Sequence, residues 1–432
     1  MMRKRTFMYI ILLVLLWLVT ICFVPIAVVA ALLARCTKSP SIRRLVWGST
    51  PIINNSYWAQ SMKEVSAVSE TYTTGFYRAN DREDWDKILE EQYGFLPLKL
   101  KPFVAFLHSL FLYDIFFISF DGYFIGRTPA GRLQAQLFKL AGKKTVLLPY
   151  GSDSYIYRRI RSVDTTHGLM MSYPRAACDQ KRISQNVDYW CAQADVVLPG
   201  VMGPDGYGRW DALLPSILFI DQQKWEISTR KSNADGYNGT VYITHAPNHR
   251  GFKGSEFVVE AVNQLQQEGL DVELLLLENL KNTEVRKILR EDTDVLVEQL
   301  IFTGHGLNGL EGMASGLPVI ANLEHEDYVR PFRRWSYFSE CPLVSATPET
   351  LANTLRKLIT RPQLRHKLGD VGRQYIEKYH GLDSSVFLFT NVIDYLEGRR
   401  SDLIDLYHPL KGGYRSGEPK IDVPLKLNRI ED

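Results

Sequence analysis

Short apolar runs alternate with longer amphipathic stretches along most of this chain, which is the sequence form of an α/β sheet. In the first half, a strand begins at Leu45–Trp47 and ends at Gly48-Ser49-Thr50-Pro51. Ile115–Phe120 reads as a buried strand, and Thr145–Leu148 as another, entered through the turn Gly142-Lys143-Lys144. Val196–Leu198 follows a helix-like segment, and Leu218–Ile220 closes this half as a further strand. Residues 228–239 are polar and glycine-containing, and read as a linker. A second alternation follows: strand Val241–Thr244, helix Ser255–Glu268, strand Val272–Leu277, helix Asn282–Arg290, a short strand Val295–Val297, and helix Leu307–Ser315 entered through Gly306. Strand Pro318–Ala321 and helices Pro348–Ile359 and Gln363–Tyr379 complete it. The nearly continuous apolar character of Val272–Leu277 predicts a parallel strand covered on both faces. Beyond Gly398 the mixture of glycine, proline and charge predicts a tail that wraps the surface or is loosely ordered. Two successive units of similar size predict two Rossmann-like domains facing each other across a cleft.

One stretch breaks the alternation. Phe7–Ala34 carries no charged side chain over about 28 residues, with Arg3, Lys4 and Arg5 before it and Arg35, Lys38, Arg43 and Arg44 after it. About 20 apolar residues span a bilayer core, so the run reads as a membrane anchor. A cleavable signal would have a much shorter apolar core and a small-residue cleavage site. Basic flanks on both sides leave orientation open, and Pro25 leaves room for a kinked or re-entrant segment with both ends on the cytosolic side beside the expected tilted single span. The chain therefore divides into a basic tail 1–6, an anchor 7–34, a first domain 43–232, a second domain 236–398 and a tail 399–432. The whole chain has 432 residues, enough for two domains. Its net charge of +3 gives no electrostatic reason to expect nucleic acid. Five scattered cysteines make neither a disulfide framework nor a zinc site.

Two clusters carry candidate chemistry. His245-Ala-Pro-Asn-His249-Arg250-Gly-Phe-Lys253-Gly254-Ser255 follows a strand and opens onto a helix. Ligands of open α/β sheets bind beyond the carboxyl ends of strands, and cations there beside free helix amides suit a diphosphate. The bland alternative is a solvated basic loop. Gly304-His305-Gly306-Leu307-Asn308-Gly309-Leu-Glu311 lets backbone approach a ligand at a helix start, and Glu311 one turn in can accept hydrogen bonds from adjacent ribose hydroxyls. The alternative is that Glu311 merely complements the helix dipole. Asp292-Thr293-Asp294 could be a metal-binding DxD, or only the start of a strand. Lys99–Leu112, basic then apolar, could dip into a membrane interface or be an ordinary core helix. Asn54-Asn-Ser56 and Asn238-Gly-Thr240 match glycosylation acceptors.

Arg250…Lys253-Gly254, then Asp294-Val-Leu-Val-Glu298-Gln299-Leu, then Gly306-Leu-Asn-Gly-Leu-Glu311-Gly-Met-Ala-Ser-Gly316-Leu-Pro318-Val resembles the donor half of family-4-type retaining glycosyltransferases of GT-B fold. Tyr113-Asp114-Ile-Phe-Phe, Gly142-Lys143-Lys144, Gly151-Ser152-Asp153 and Leu214-Pro215-Ser-Ile-Leu-Phe-Ile-Asp221 resemble its first half in matching order, so the likeness covers roughly residues 45–395. The resemblance implies a GT-B enzyme that moves a sugar, with retention, from a nucleotide sugar to a glycan or lipid-linked glycan, as in surface polysaccharide or glycoconjugate synthesis. It implies Lys253, Arg250 and Asp153 as catalytic residues. It implies His245, Gly306, Leu307, Asn308, Gly309 and Glu311 on the donor side, and Ser49, Thr50, Gly151 and Ser152 on the acceptor side. No metal and no cofactor beyond the nucleotide-sugar co-substrate is expected, and no nucleic acid. Other glycan-assembly proteins are conceivable partners. The catalytic domains are expected on the cytosolic side of a bacterial inner membrane, with a Golgi lumen as the alternative. One departure stands out: the family often has a glutamate eight residues before the second one, and here that position is Thr303. It motivates a rival reading, a catalytically weak GT-B-like binding or scaffold protein; a sugar-nucleotide epimerase of the same architecture is a third.

Overall fold

The computed structural model describes residues 2–37, 43–77, 80–200 and 206–431; Lys38 of the basic flank lies outside the described residues. The first sheet contains β1 (Arg44–Ser49), β2 (Val68–Thr73), β3 (Lys87–Ile88), β4 (Ile115–Ile118), β5 (Lys144–Leu147) and β6 (Val196–Val197). All its pairings are parallel, in the order β3-β2-β1-β4-β5-β6. The second contains β7 (Val241–His245), β8 (Val272–Leu276), β9 (Val295–Thr303), β10 (Val319–Asn322) and β11 (Val344–Ser345), again parallel, in the order β11-β10-β9-β7-β8. Helices cover both sheets, so the chain forms two Rossmann-like α/β domains, as the alternation predicts.

Four differences from the sequence expectation have physical causes. Leu218–Ile220 forms no strand. It is an extended strap between the domains: the Ile220 amide donates to the His380 carbonyl at 2.9 Å, and the Trp58 indole donates to the Ile217 carbonyl at 2.9 Å. β8 is not covered on both faces, because it is the outer strand of its sheet and Leu274–Leu276 are only half-buried. β9 runs on to Thr303, well past Val297; its buried polar residues Glu298 and Gln299, both held by Lys253, look like a strand end in the sequence. β2, with the sequence VSETYT, shows no apolar run at all; its Thr71 and Glu70 are held by Asp86 and Lys87.

The helix Leu382–Leu396 leaves the second domain and returns to the first. It packs on Asn54–Met62, with Ser385 and Ser61 hydroxyls 2.7 Å apart and the Phe389 ring edge-on to Trp47 at 4.7 Å. The tail is ordered. Tyr407 is buried, and the Asn428 amide donates to the Cys341 and Leu343 carbonyls at 2.8 and 3.0 Å. At the other end, Met2–Cys36 is a single helix with Pro25 inside it, and its Leu16–Cys36 part is long and apolar enough to cross a membrane. Cores and signal helices pass that same test, so length alone does not assign it. The Lys101–Leu112 helix buries Phe103, Ala105, Phe106 and Leu110 in the first domain.

Candidate active site in the interdomain cleft

Both sheets present the carboxyl ends of their strands to a cavity of about 740 Å³ lined by residues of both domains. On the second-domain side, β7 leads through Ala246 and Asn248 into the short helix Arg250–Lys253, and Lys253 enters the cavity wall. Its ammonium is paired with the Glu298 carboxylate below it and lies 3.1 Å from Gln299 Oε1. Lys253 and Glu298 are both almost fully buried, so the ion pair exists because each charge would be costly without the other.

The helix Leu307–Ala314 starts directly above this pair. Its N-terminal residue Gly306 has no side-chain cap, so the first amides of the helix are left for another acceptor. A methyl group added at Gly306 would lie 3.1 Å from Glu298 Oε1 and 3.4 Å from Lys253 Nζ, so any side chain here would crowd the ion pair and shield it from the helix start. The ammonium and the positive end of a helix dipole therefore converge on one spot. Gly312 serves the same helix further along, where a methyl group would meet Leu296 Cδ2 at 2.4 Å.

Glu311 lines the cavity one turn into that helix and is 5 % exposed. Asn308 Nδ2 donates to its Oε2 at 3.2 Å and Asn282 Nδ2 to its Oε1 at 3.4 Å. Burial pushes its carboxyl up to about 7, against the two amide donors. Thr303 and His305 also line the cavity. The Thr303 hydroxyl and His305 Nε2 are buried without a protein partner, and burial holds the His305 imidazole below its usual range. On the first-domain side the wall is made by Ile52, Asn54, Tyr77, Gly151, Ser152 and Tyr155.

The predicted residues fall into two groups. Lys253, Gly306, Leu307, Asn308, Glu311, Gly151 and Ser152 come together around the cavity. His245, Arg250, Asp153, Gly309, Ser49 and Thr50 are not part of its wall. His245, the last residue of β7, is fully buried, with Nδ1 against the Val297 carbonyl and Nε2 against the Ser255 hydroxyl, both at 2.8 Å; burial holds it neutral with a pKa of about 4. Arg250 turns outward to Glu256 and Glu278. Asp153 spends both oxygens on backbone amides, Oδ1 on Tyr150 and Gly151 and Oδ2 on Phe120, each at 3.0 Å. It fixes the loop that presents Gly151 and Ser152, and burial with the nearby Asp121 charge raises it to about 7. Thr50 is bonded to Ser119 at 3.1 Å, and Gly309 packs under His305.

Several wall residues were not singled out by sequence. Asn282 carries no motif, and could have been found as the polar residue that opens a helix beyond a strand end. Tyr155, Tyr173, Phe252 and Phe302 form an aromatic side of the cavity, with Tyr155 to Phe302 at 5.5 Å and Tyr173 to Phe252 at 5.9 Å. Asn54, the first glycosylation match, is buried in the wall and not a surface acceptor, whereas Asn238 is exposed. Asp294 of the DxD sits at the start of β9, the end away from the cleft, where its carboxylate accepts from the Tyr242 amide at 2.9 Å and from Arg230 at 3.1 Å. Among the described residues no three His, Cys, Asp or Glu side chains converge on a point where a metal could sit.

No protein-family model matches the chain. No curated protein matches it either. Among solved structures, it is similar to sucrose-phosphate synthase from Thermosynechococcus elongatus, at 13 % identity and a TM-score of 0.52, over 83 % of this chain and 100 % of that one. It is also similar to the Anabaena protein Alr3699/HepE in complex with UDP and glucose, at 13 % identity and a TM-score of 0.50, over 82 % and 99 % of the two chains. At this identity the likeness speaks to architecture. Two parallel-sheet domains, a C-terminal helix that crosses back and a cleft at the strand ends make this a chain of GT-B fold.

Proposed function

We propose that this chain is a glycosyltransferase that holds a nucleotide sugar in the cleft and transfers the sugar to a glycan or lipid-linked acceptor. The observation that carries the reading is the convergence of the Lys253 ammonium, the uncapped helix start at Gly306 and the Glu311 carboxyl within one cavity. That trio matches the parts of a nucleoside diphosphate in order. Lys253 and the amides of Leu307, Asn308 and Gly309 take the diphosphate, and the charge that develops on the leaving phosphate is stabilised where cation and dipole already point. Glu311 takes the ribose hydroxyls. Gly151 and Ser152, on the loop fixed by Asp153, face the sugar from the acceptor side. Arg250 would join only by leaving Glu256 and Glu278. The transfer is read as retaining, without a metal, in a chain tied to the membrane through Met2–Cys36 and facing the cytosol of a bacterium.

The solved structure of the Anabaena protein with UDP and glucose makes UDP-glucose the first donor to try. The experiment is calorimetric titration with UDP and UDP-glucose, followed by turnover with membrane lipid extracts. Nucleotide release that depends on the extract supports the transferase. Absence of UDP or UDP-sugar binding at millimolar concentration defeats it. Thr303 favours a second reading, a binding or scaffold protein of the same fold, because its short hydroxyl side chain stands in the cavity wall without a partner. Tight UDP-sugar binding with no turnover on any acceptor would select that reading.

A further inference from the structure

The Met2–Cys36 helix is not a free tether. Phe23, Ala27, Ala31 and Ala34, spaced by one helical turn each, are buried in the core of the first domain. The Phe23 ring meets Phe103 edge-on at 4.7 Å and Phe106 at 6.3 Å, and Thr20 is buried one turn earlier. Alanines at the contact let this helix lie close against Lys101–Leu112 and Gln134–Leu140. Its opposite face is apolar and open: Trp17, Ile21, Ile26, Val29 and Leu33 are each exposed by more than half.

Docking changes the length available to cross a bilayer. If Thr20 onward belongs to the domain, the uncharged run keeps only Phe7–Val19. Thirteen residues at 1.5 Å each reach about 20 Å, short of a hydrocarbon core of about 30 Å. The helix cannot both keep its docking and span. Its direction is also set. Arg35 ends beside Gly142, at the turn before β5 and so away from the cleft, while Phe23 lies at Phe103, near the start of the helix that precedes β4. The undocked half therefore extends toward the cleft end of the sheet. At that same end the segment entering Lys101–Leu112 exposes Phe95 by 81 % and Leu98 by 75 %.

We propose that this face seats the first domain on one leaflet of a bilayer, with the helix lying in the interface and both its ends on the side of the globular domains. The occupant is lipid because the open face is aliphatic along the whole docked length, while basic residues stand at both ends: Arg3, Lys4 and Arg5 before it, Arg35 after it. An in-plane seat brings the rim of the cleft beside the leaflet, which suits a lipid-linked acceptor; that last consequence rests on the proposed transferase, while the seat itself does not.

The test uses the full chain in phosphatidylcholine vesicles with and without phosphatidylglycerol. In a chain whose Cys22, Cys36 and Cys191 are replaced by Ser, exposed Cys178 marks the globular side, and Lys4→Cys reports the N-terminus. A membrane-impermeant maleimide should label both sites without permeabilisation; labelling of Cys178 alone, with position 4 reached only after permeabilisation, overturns the seat in favour of a span. Ile21→Ser/Ile26→Ser/Val29→Ser alters only exposed positions. It should lower vesicle partition by about a thousandfold at unchanged thermal stability, each of the three aliphatic side chains being worth about tenfold. Unchanged partition overturns the proposal. So does oxidative cross-linking of wild-type Cys22 between copies at high lipid dilution, which would give the face to a second copy. UDP binding is read in parallel, so that failure of the seat and failure of the transferase reading are told apart.

Discussion

The Lys253–Glu298 pair ties the stability of the second domain to its ligand chemistry, and the two can be separated by substitution. Lys253→Met keeps the aliphatic stem but leaves the Glu298 carboxylate, 2 % exposed, without its cation. Glu298 Oε2 has no hydrogen-bond partner, so the pair with Lys253 is what chiefly stabilises the carboxylate. Breaking a buried pair from one side costs about 3–5 kcal/mol, most of it the uncompensated charge that remains. The same change removes one charge-assisted contact to a diphosphate, about 1.5–3 kcal/mol, or roughly ten- to a hundredfold in UDP affinity. Adding Glu298→Gln to Lys253→Met removes the orphaned charge while keeping the shape. The double variant should therefore recover most of the stability and none of the affinity. Urea unfolding gives the first quantity and calorimetry with UDP the second. If the double variant binds UDP like the wild type, Lys253 does not face the diphosphate and the site assignment is wrong. If Lys253→Met is as stable as the wild type, the pair is not a buried pair in solution.

Three further outcomes follow from the geometry. Glu311 has a folded pKa of about 7 against an ordinary 4.5, so the fold holds a proton between those pH values that the unfolded chain has released; its contribution to stability is present below 4.5 and lost as pH rises through 7. Glu311→Gln should flatten that slope by up to about 3 kcal/mol between pH 4.5 and 7 in urea melts, and should abolish the gain in UDP affinity on raising pH through 7; a parallel slope in both chains removes Glu311 from the account. Gly168 meets Phe252 Cα across the cleft, where an added methyl would lie 3.2 Å from it and 2.9 Å from Ile301, and Gly251 meets Met171 and Ser172 equally closely. Gly168→Leu should hold the domains apart, raising the radius of gyration in solution scattering and weakening UDP-sugar binding; an unchanged scattering curve counts against closure through this contact. Asp153→Asn can still accept from Tyr150 and Gly151, but turns an NH₂ group toward the Phe120 amide. It should cost about 1–3 kcal/mol by thermal melt while leaving UDP affinity within about twofold, as expected of a loop-fixing residue and not of one that touches the donor.

The parts of this fold that were legible in the sequence are those where burial and chain direction act together. Apolar β1, β4, β5, β7 and β10, the glycine-entered Leu307–Ala314 helix and the polar stretch at 228–239 were all readable, because a parallel strand covered by helices has to be apolar and short. β2 was invisible, since its Ser69, Glu70 and Thr71 are satisfied by Trp47, Lys87 and Asp86, partners that come from other elements. β9 was cut short for the same reason at Glu298. Lys253 and Glu311 were found by type and spacing. Arg250 could not be told from Lys253, because which of two neighbouring cations turns inward depends on Glu256 and Glu278 on one side and Glu298 on the other. Likewise, Asp153 reads as a cleft acid until its three amide donors are seen. The apolar stretch near the N-terminus was plain from composition, yet whether it could span depended on which face of the helix the domain takes.

The outward turn of Arg250 and the inward turn of Lys253 set how the cleft handles charge. Two cations near a diphosphate would be a strong and salt-sensitive trap. Among the described residues of the cavity wall Lys253 is the one Lys or Arg, and it is already matched by Glu298, so this pair brings no net charge to the site. A bound diphosphate would then owe most of its stabilisation to the uncapped amides at Gly306 and to exclusion of water by the aromatic wall of Tyr155, Phe252 and Phe302, with Lys253 placed to respond as charge builds on the leaving phosphate. Fixed dipoles in a poorly solvated cavity need no reorganisation, and the close approach of the two domains at Gly168 and Gly251 helps keep water from it. Fixed dipoles and exclusion of water, more than the already matched charge of Lys253, are what would make this site hold a nucleotide sugar.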